Sequence, residues 1–241
     1  MAEVTKPVEA KPGFFARASD AYVDLILTLP IFLAYHLGVV FLPVRNAADV
    51  VTSELIVLAK DNLLAYAGLT LLIGGAFVGV LLLLGKRNAL EWERFAFLAF
   101  EAAAYAIAMR LVAGWVVGKL ALAQAQLTGG FTGLVMSAGA GFYEEIAFRV
   151  VLYGLGTRLI LMLFPAVDPI RPRLIKLGWA VAAAAAFSGW HYVGALGEPF
   201  ELRSFVFRFV CGFVFTVIYE FRGFAPAVWT HALYDVWVLV L

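Results

Sequence analysis

Apolar residues run through this chain in long blocks rather than in strand-like alternation. A helix needs about 20 mostly apolar residues to cross the hydrocarbon of a bilayer. Segments of that character occupy Tyr22 to Leu42, Leu63 to Leu84, Phe95 to Val117, Phe131 to Phe164, Leu174 to Val193, Phe205 to Tyr219 and Phe224 to Leu241. The pattern predicts an all-α fold, a polytopic transmembrane helical bundle of about seven spans. Counts of six to eight fit as well, because the fourth block is too long for one straight crossing and the sixth is short. Residues 1–20 mix Pro, Ala, Lys and Glu without an apolar run long enough for a cleavable signal, and read as a soluble amino-terminal tail. Residues 21–241 show no internal repeat and no linker, so they form one transmembrane domain.

Composition sharpens this reading. Of 241 residues, 63% are hydrophobic and 15% charged, with mean hydropathy +0.92. A soluble domain carries about 25% charged residues, so a water-soluble enzyme is excluded, as is a disordered chain. The single cysteine, Cys211, excludes a disulfide scaffold. A net charge of +1 without a basic block leaves no footprint for nucleic acid. The partner medium is the lipid bilayer, and the chain reads as a multi-pass integral membrane protein, of the inner or plasma membrane in a bacterium.

Lysine and arginine stay on the cytoplasmic side of short loops. Lys6, Lys11, Arg17, Lys86, Arg87, Arg94, Arg171, Arg173, Lys176 and Arg222 fall on one set of connections, and Arg45, Lys60, Lys119 and Arg203 on the other. This asymmetry predicts a cytoplasmic amino terminus.

Charged groups inside a span cost about 2.5–3.5 kcal/mol each on insertion scales, so each calls for a partner or a function. The fourth block holds Glu144, Glu145 and Arg149. Glu145 and Arg149 stand four apart with the acid first, the favourable order for an intrahelical ion pair. Glu144 points about 100° away and has no local cation. A carboxylate so placed suits general-base chemistry; the bland alternative is that both acids tie helices together. His191 follows a run of alanines in the fifth block, and His231 stands four residues before Asp235 in the seventh, a spacing that suits two ligands to one ion or an acid that orients a ring. His36, Glu101 and Arg110 read as structural, and Arg208 and Glu220 as residues that snorkel to the interface.

In series, Glu144-Glu145-x-x-x-Arg149, Phe187-x-x-x-His191 and His231-x-x-x-Asp235 resemble the three motifs of the CPBP (Abi) family of intramembrane proteases, which includes the type II CAAX prenyl proteases. The resemblance covers about residues 130–241, with the motifs in 131–241. It implies an intramembrane endopeptidase acting on a membrane-anchored peptide or protein. Carried over, Glu144 activates the attacking water, Glu145 and Arg149 support it, and His191 and His231 stabilise the oxyanion or hold a metal. Asp235 stands where the eukaryotic enzymes commonly have Asn, and an ionised Asp cannot donate a hydrogen bond. That departure favours a divalent metal such as zinc on Glu144, His191, His231 and Asp235.

Other intramembrane hydrolases fit less well. His-Glu-x-x-His is absent, Ser137 and Ser188 lack a Gly-x-Ser-Gly setting, and Asp235 is the one aspartate expected within a span. Two non-enzymatic readings remain: a membrane scaffold or bacteriocin-immunity protein, and a proton-coupled transporter, although the inverted repeats of transporters are missing. The shared-site mechanism also demands that His191 reach the depth of the two glutamates, which requires the fifth crossing to begin near Ala180.

Overall fold

The computed structural model describes residues 21–118, 130–165, 168–194 and 197–241. The expected tail and Lys119 lie outside the described residues. The apolar blocks are all helical. In chain order they are α1 (Ala21–Gly38, extended by a 3-10 turn, Val39–Phe41), α3 (Leu63–Leu83), α4 (Trp92–Val117), α5 (Gly130–Leu163), α6 (Arg171–Trp190), α7 (Leu202–Arg222) and α8 (Phe224–Leu239). A short helix that the apolar pattern does not announce, α2 (Thr52–Leu58), precedes α3. Among the described residues there is no strand.

Among the described residues, five helices are long and apolar enough to cross a membrane: α1 with its 3-10 turn, α3, α4, α5 and α7. The sixth apolar block is therefore not short, because helix α7 reaches from Leu202 to Arg222. Helix α6 begins on Arg171, Arg173 and Lys176, and α8 has 16 residues, which keeps both below the measure of a free-standing span. Helices α3 and α4 turn Leu64, Leu83, Phe100 and Trp115 fully outward. In water such a surface would aggregate; in a bilayer it is the lipid-facing wall.

Helix α8 sits at the centre, packed against α1, α4, α5 and α7, and α6 packs on α7. Its start is pinned by Asp24 of α1, whose Oδ2 accepts the Phe224 amide at 2.8 Å. Asp24 is thus a buried aspartate within a candidate span, contrary to the expectation that Asp235 is the one aspartate so placed. At about 1.5 Å per residue, Asp235 lies about 16 Å further along α8 than Phe224, so the two aspartates form no catalytic pair.

Candidate active site

Helix α5 departs from regular winding where Glu144, Glu145 and Arg149 lie. From Ala140 to Glu144 and from Ile146 to Leu155 the helix is wound as a π-helix, a form concentrated at functional sites and wider than a regular turn. Gly141 lies in this stretch. A Cβ there would meet the Ala232 Cβ and the Val228 carbonyl oxygen, both at 2.8 Å. Only glycine lets α5 and α8 approach this closely, and the approach carries His231 onto the two glutamates.

Glu145 is the hub. It is completely buried, and its Oε1 lies 3.1 Å from Arg149 Nη1 and accepts the His231 Nδ1–H at 2.7 Å. Arg149 also donates from Nη2 to the Gly212 carbonyl of α7 at 3.1 Å. Its guanidinium lies over the rings of Phe187 and Phe215, at 4.4 and 5.0 Å. Aromatic faces attract a cation, so this pair is enclosed by groups that favour its charges. His231 stacks on Phe215 with centroids 4.5 Å apart.

Glu144 faces the other side of the same imidazole. Its Oε2 lies 4.0 Å from His231 Nε2, and Asp235 Oδ2 lies 3.6 Å from that nitrogen. Its Oε1 accepts a hydrogen bond from Asn46 Nδ2 at 2.8 Å. Asp235 keeps a side-chain exposure of 21%, against 10% for Glu144. His191 stands at the carboxyl end of α6, which is continuous from Arg171, and its Nδ1–H donates to the Phe187 carbonyl at 3.0 Å. The Phe187 ring lies between the two histidines, 5.2 Å from His191 and 5.8 Å from His231. His191 is within electrostatic reach of Glu144 and His231. Five of the six expected residues are thus linked by direct approach, and His191 joins them across Phe187.

Sequence reasoning missed Asn46. It lies in the connection between α1 and α2, 98 residues from its partner, among other polar loop residues, and no local signal distinguishes it. The structural reading of His36 agrees with its surroundings: it is fully buried, with Tyr66 Oη 2.8 Å from one ring nitrogen and Tyr143 Oη 2.5 Å from the other. Glu101 binds Arg222 at 2.6 Å and Tyr105 at 2.7 Å. Arg208 and Glu220 do more than snorkel, since Arg208 binds Glu198 at 2.7 Å, and Glu220 binds Lys176 and accepts from Tyr153 at 3.1 Å. A cavity of about 530 Å³ between α6 and α7, lined by Arg173, Lys176, Phe213 and Glu220, contains none of the six motif residues.

The fit to a metal is divided. Both histidines are held through Nδ1, which leaves Nε2 free as metal-binding histidines require. Among the described residues, however, no group of three or more His, Cys, Asp and Glu side chains is gathered as the ligands of one ion would be.

Residues 126–237 match the family model for Type II CAAX prenyl endopeptidase Rce1-like proteins. This segment belongs to the CAAX-protease-like family. It spans all three motifs, and α4 and Asn46 lie outside it. Neither a curated protein nor a solved structure matches the chain. The match over this segment, with the apolar helices around the motifs, points to an integral membrane protein and implies intramembrane proteolysis of the CAAX type.

Proposed function

We propose that the chain is an intramembrane endopeptidase that cleaves a peptide bond of a membrane-anchored substrate, with Glu144 as general base. The carrying observation is the division of labour between adjacent acids. Glu145 is neutralised by Arg149 and held by His231, whereas Glu144, among the described residues, meets no cation at ion-pair distance beyond His231 and points Oε2 toward His231 and Asp235. Glu144 takes a proton from water as the resulting hydroxide attacks the scissile carbonyl carbon. The tetrahedral oxyanion needs N–H donors, and Asp235 offers none when ionised. Protonated on both nitrogens, His231 donates Nδ1–H to Glu145 and Nε2–H to the oxyanion, with the surrounding carboxylates as counter-charge; His191 flanks it. The C–N bond then breaks, and Glu144 returns its proton to the leaving amine.

A second reading places a divalent ion on Glu144, His191, His231 and Asp235, and the free Nε2 atoms favour it. The basic connections support a cytoplasmic amino terminus.

The test is intact-mass comparison of membrane peptides and proteins from cells carrying the wild type or Glu144→Gln. Shortened species present only with the wild type are expected. Identical mass profiles, with both proteins folded in the membrane, would reject proteolysis and leave the scaffold reading.

A further inference from the structure

Glu144 Oε1 is held from outside the family-matched segment. Asn46 is 9% exposed, and its Nδ2 donates to that oxygen at 2.8 Å. The orientation of the amide is fixed by its other end, since Asn46 Oδ1 accepts the Ala48 amide at 2.9 Å. Rotated by half a turn, the side chain would set oxygen against the Glu144 carboxylate and NH₂ against a backbone N–H, two repulsive contacts in place of two bonds.

The loop bearing Asn46 is built rather than draped. The Asn46 amide donates to Tyr35 Oη at 3.2 Å, and Tyr35 Oη donates to Asp49 Oδ2 at 2.7 Å. Asp49 Oδ1 accepts the Val51 and Thr52 amides, each at 2.9 Å, and Oδ2 accepts from the Thr52 hydroxyl. Tyr35 itself packs onto α5 at Gly139, where a Cβ would fall 2.4 Å from its ring. So the loop is keyed to the helix that carries Glu144, five residues before it.

We infer that Asn46 is a positioning residue, which fixes one oxygen of Glu144 and leaves Oε2 as the atom that takes the proton from water. The inference rests on Glu144 being the base. Asn46 does not touch the substrate; it removes the rotational freedom of the carboxylate, and a base displaced by about 1 Å loses on the order of 100-fold in rate. The charged and titratable groups that face this site are Glu145 and Arg149 on α5, His191 on α6, and His231 and Asp235 on α8.

The experiment compares kcat, KM and the pH profile of peptide cleavage in proteoliposomes for the wild type, Asn46→Ser, Asn46→Asp and Arg45→Ala, with Glu144→Gln in parallel. Serine can accept the Ala48 amide and keep the turn while giving up the reach to Glu144. Asn46→Ser is expected to lower kcat by about 10- to 100-fold with KM little changed. Asn46→Asp is expected to move the acidic limb to higher pH, because two carboxyl groups in contact share a proton. Arg45→Ala, at an exposed bond to Ser53, should match the wild type. Wild-type kcat and pH profile in folded Asn46→Ser overturn the inference, as does loss of stability with the catalytic constants intact. An inactive Glu144→Gln beside such a result leaves the base assignment standing; an active Glu144→Gln overturns both.

Discussion

Glu145 Oε1 receives His231 Nδ1–H at 2.7 Å and lies 3.1 Å from Arg149 Nη1, so one buried oxygen ties the first motif to the third. The ion pair the sequence spacing suggests is real, but it is also the orienting acid of a histidine on another helix. Glu145 thereby sets which nitrogen of His231 is available to the reaction, a role for which Asp235 is the closer candidate in sequence.

Loss of Arg149 strands this oxygen. Breaking a buried pair by removing one partner costs about 3–5 kcal/mol, since the remaining charge stays out of water. Arg149→Ala is expected to lower the melting temperature in detergent well below that of Glu144→Gln. Arg149→Lys should recover little, because a lysine cannot both bridge to Glu145 and lie flat between Phe187 and Phe215. Equal melting of Arg149→Ala and Glu144→Gln would show that the two acids are not divided as described.

In the proposed mechanism the reaction itself is carried by Glu144. Losing a general base typically removes about 10²–10⁴ in rate. Glu144→Gln should fold, keep the Asn46 contact through its amide oxygen, and cleave at that reduced level. A chelator separates the glutamate mechanism from the metal reading. Cleavage by the wild type is expected to survive dialysis against EDTA and to gain nothing from added zinc; loss on dialysis with recovery on zinc addition would establish the metal.

What the sequence discloses, and what it conceals, follows from range. Apolar blocks and acids stranded within them are local signals, so the helices and Glu144, Glu145, Arg149, His191, His231 and Asp235 are visible one segment at a time. Asn46 and Asp24 act across 98 and 200 residues, and nothing beside them in sequence marks their partners. The π winding of α5 and its close approach to α8 at Gly141 are hidden for another reason: a one-dimensional apolar pattern holds neither the helix type nor the packing partner.

That packing can be tested directly. Gly141→Ala sets a methyl group 2.8 Å from the Val228 carbonyl and 2.9 Å from the Ala232 amide, backbone atoms that cannot rotate away. Overpacking of this kind costs about 1–3 kcal/mol. Activity should fall further than stability, because the displaced α8 takes His231 with it. Gly75→Ala on α3 is the control: nothing lies within 4 Å of its Cβ, and alanine is the better helix former. A Gly141→Ala protein as active and stable as Gly75→Ala would show that α5 and α8 need not touch here.

The loop that presents Asn46 should loosen in acid. Burial alone would raise the Asp49 carboxyl, but hydrogen bonds from the Thr52 hydroxyl and amide, the Tyr35 hydroxyl and the Val51 amide outweigh it and hold it below its ordinary value. A carboxyl depressed in the folded state contributes stability that is complete above its unfolded value, about 3.9, and is lost as pH falls through the folded value. The wild type should therefore melt above Asp49→Asn at neutral pH, with the gap constant down to about pH 5 and closing below about pH 4. Asp49→Asn should also lose part of its kcat at neutral pH, since the hydroxyls of Tyr35 and Thr52 lose an acceptor and Tyr35 is the group that holds the Asn46 amide. Melting curves from pH 7 to 3 for both proteins decide the matter: a gap that persists unchanged at pH 3 would mean that Asp49 holds the loop by shape rather than by charge.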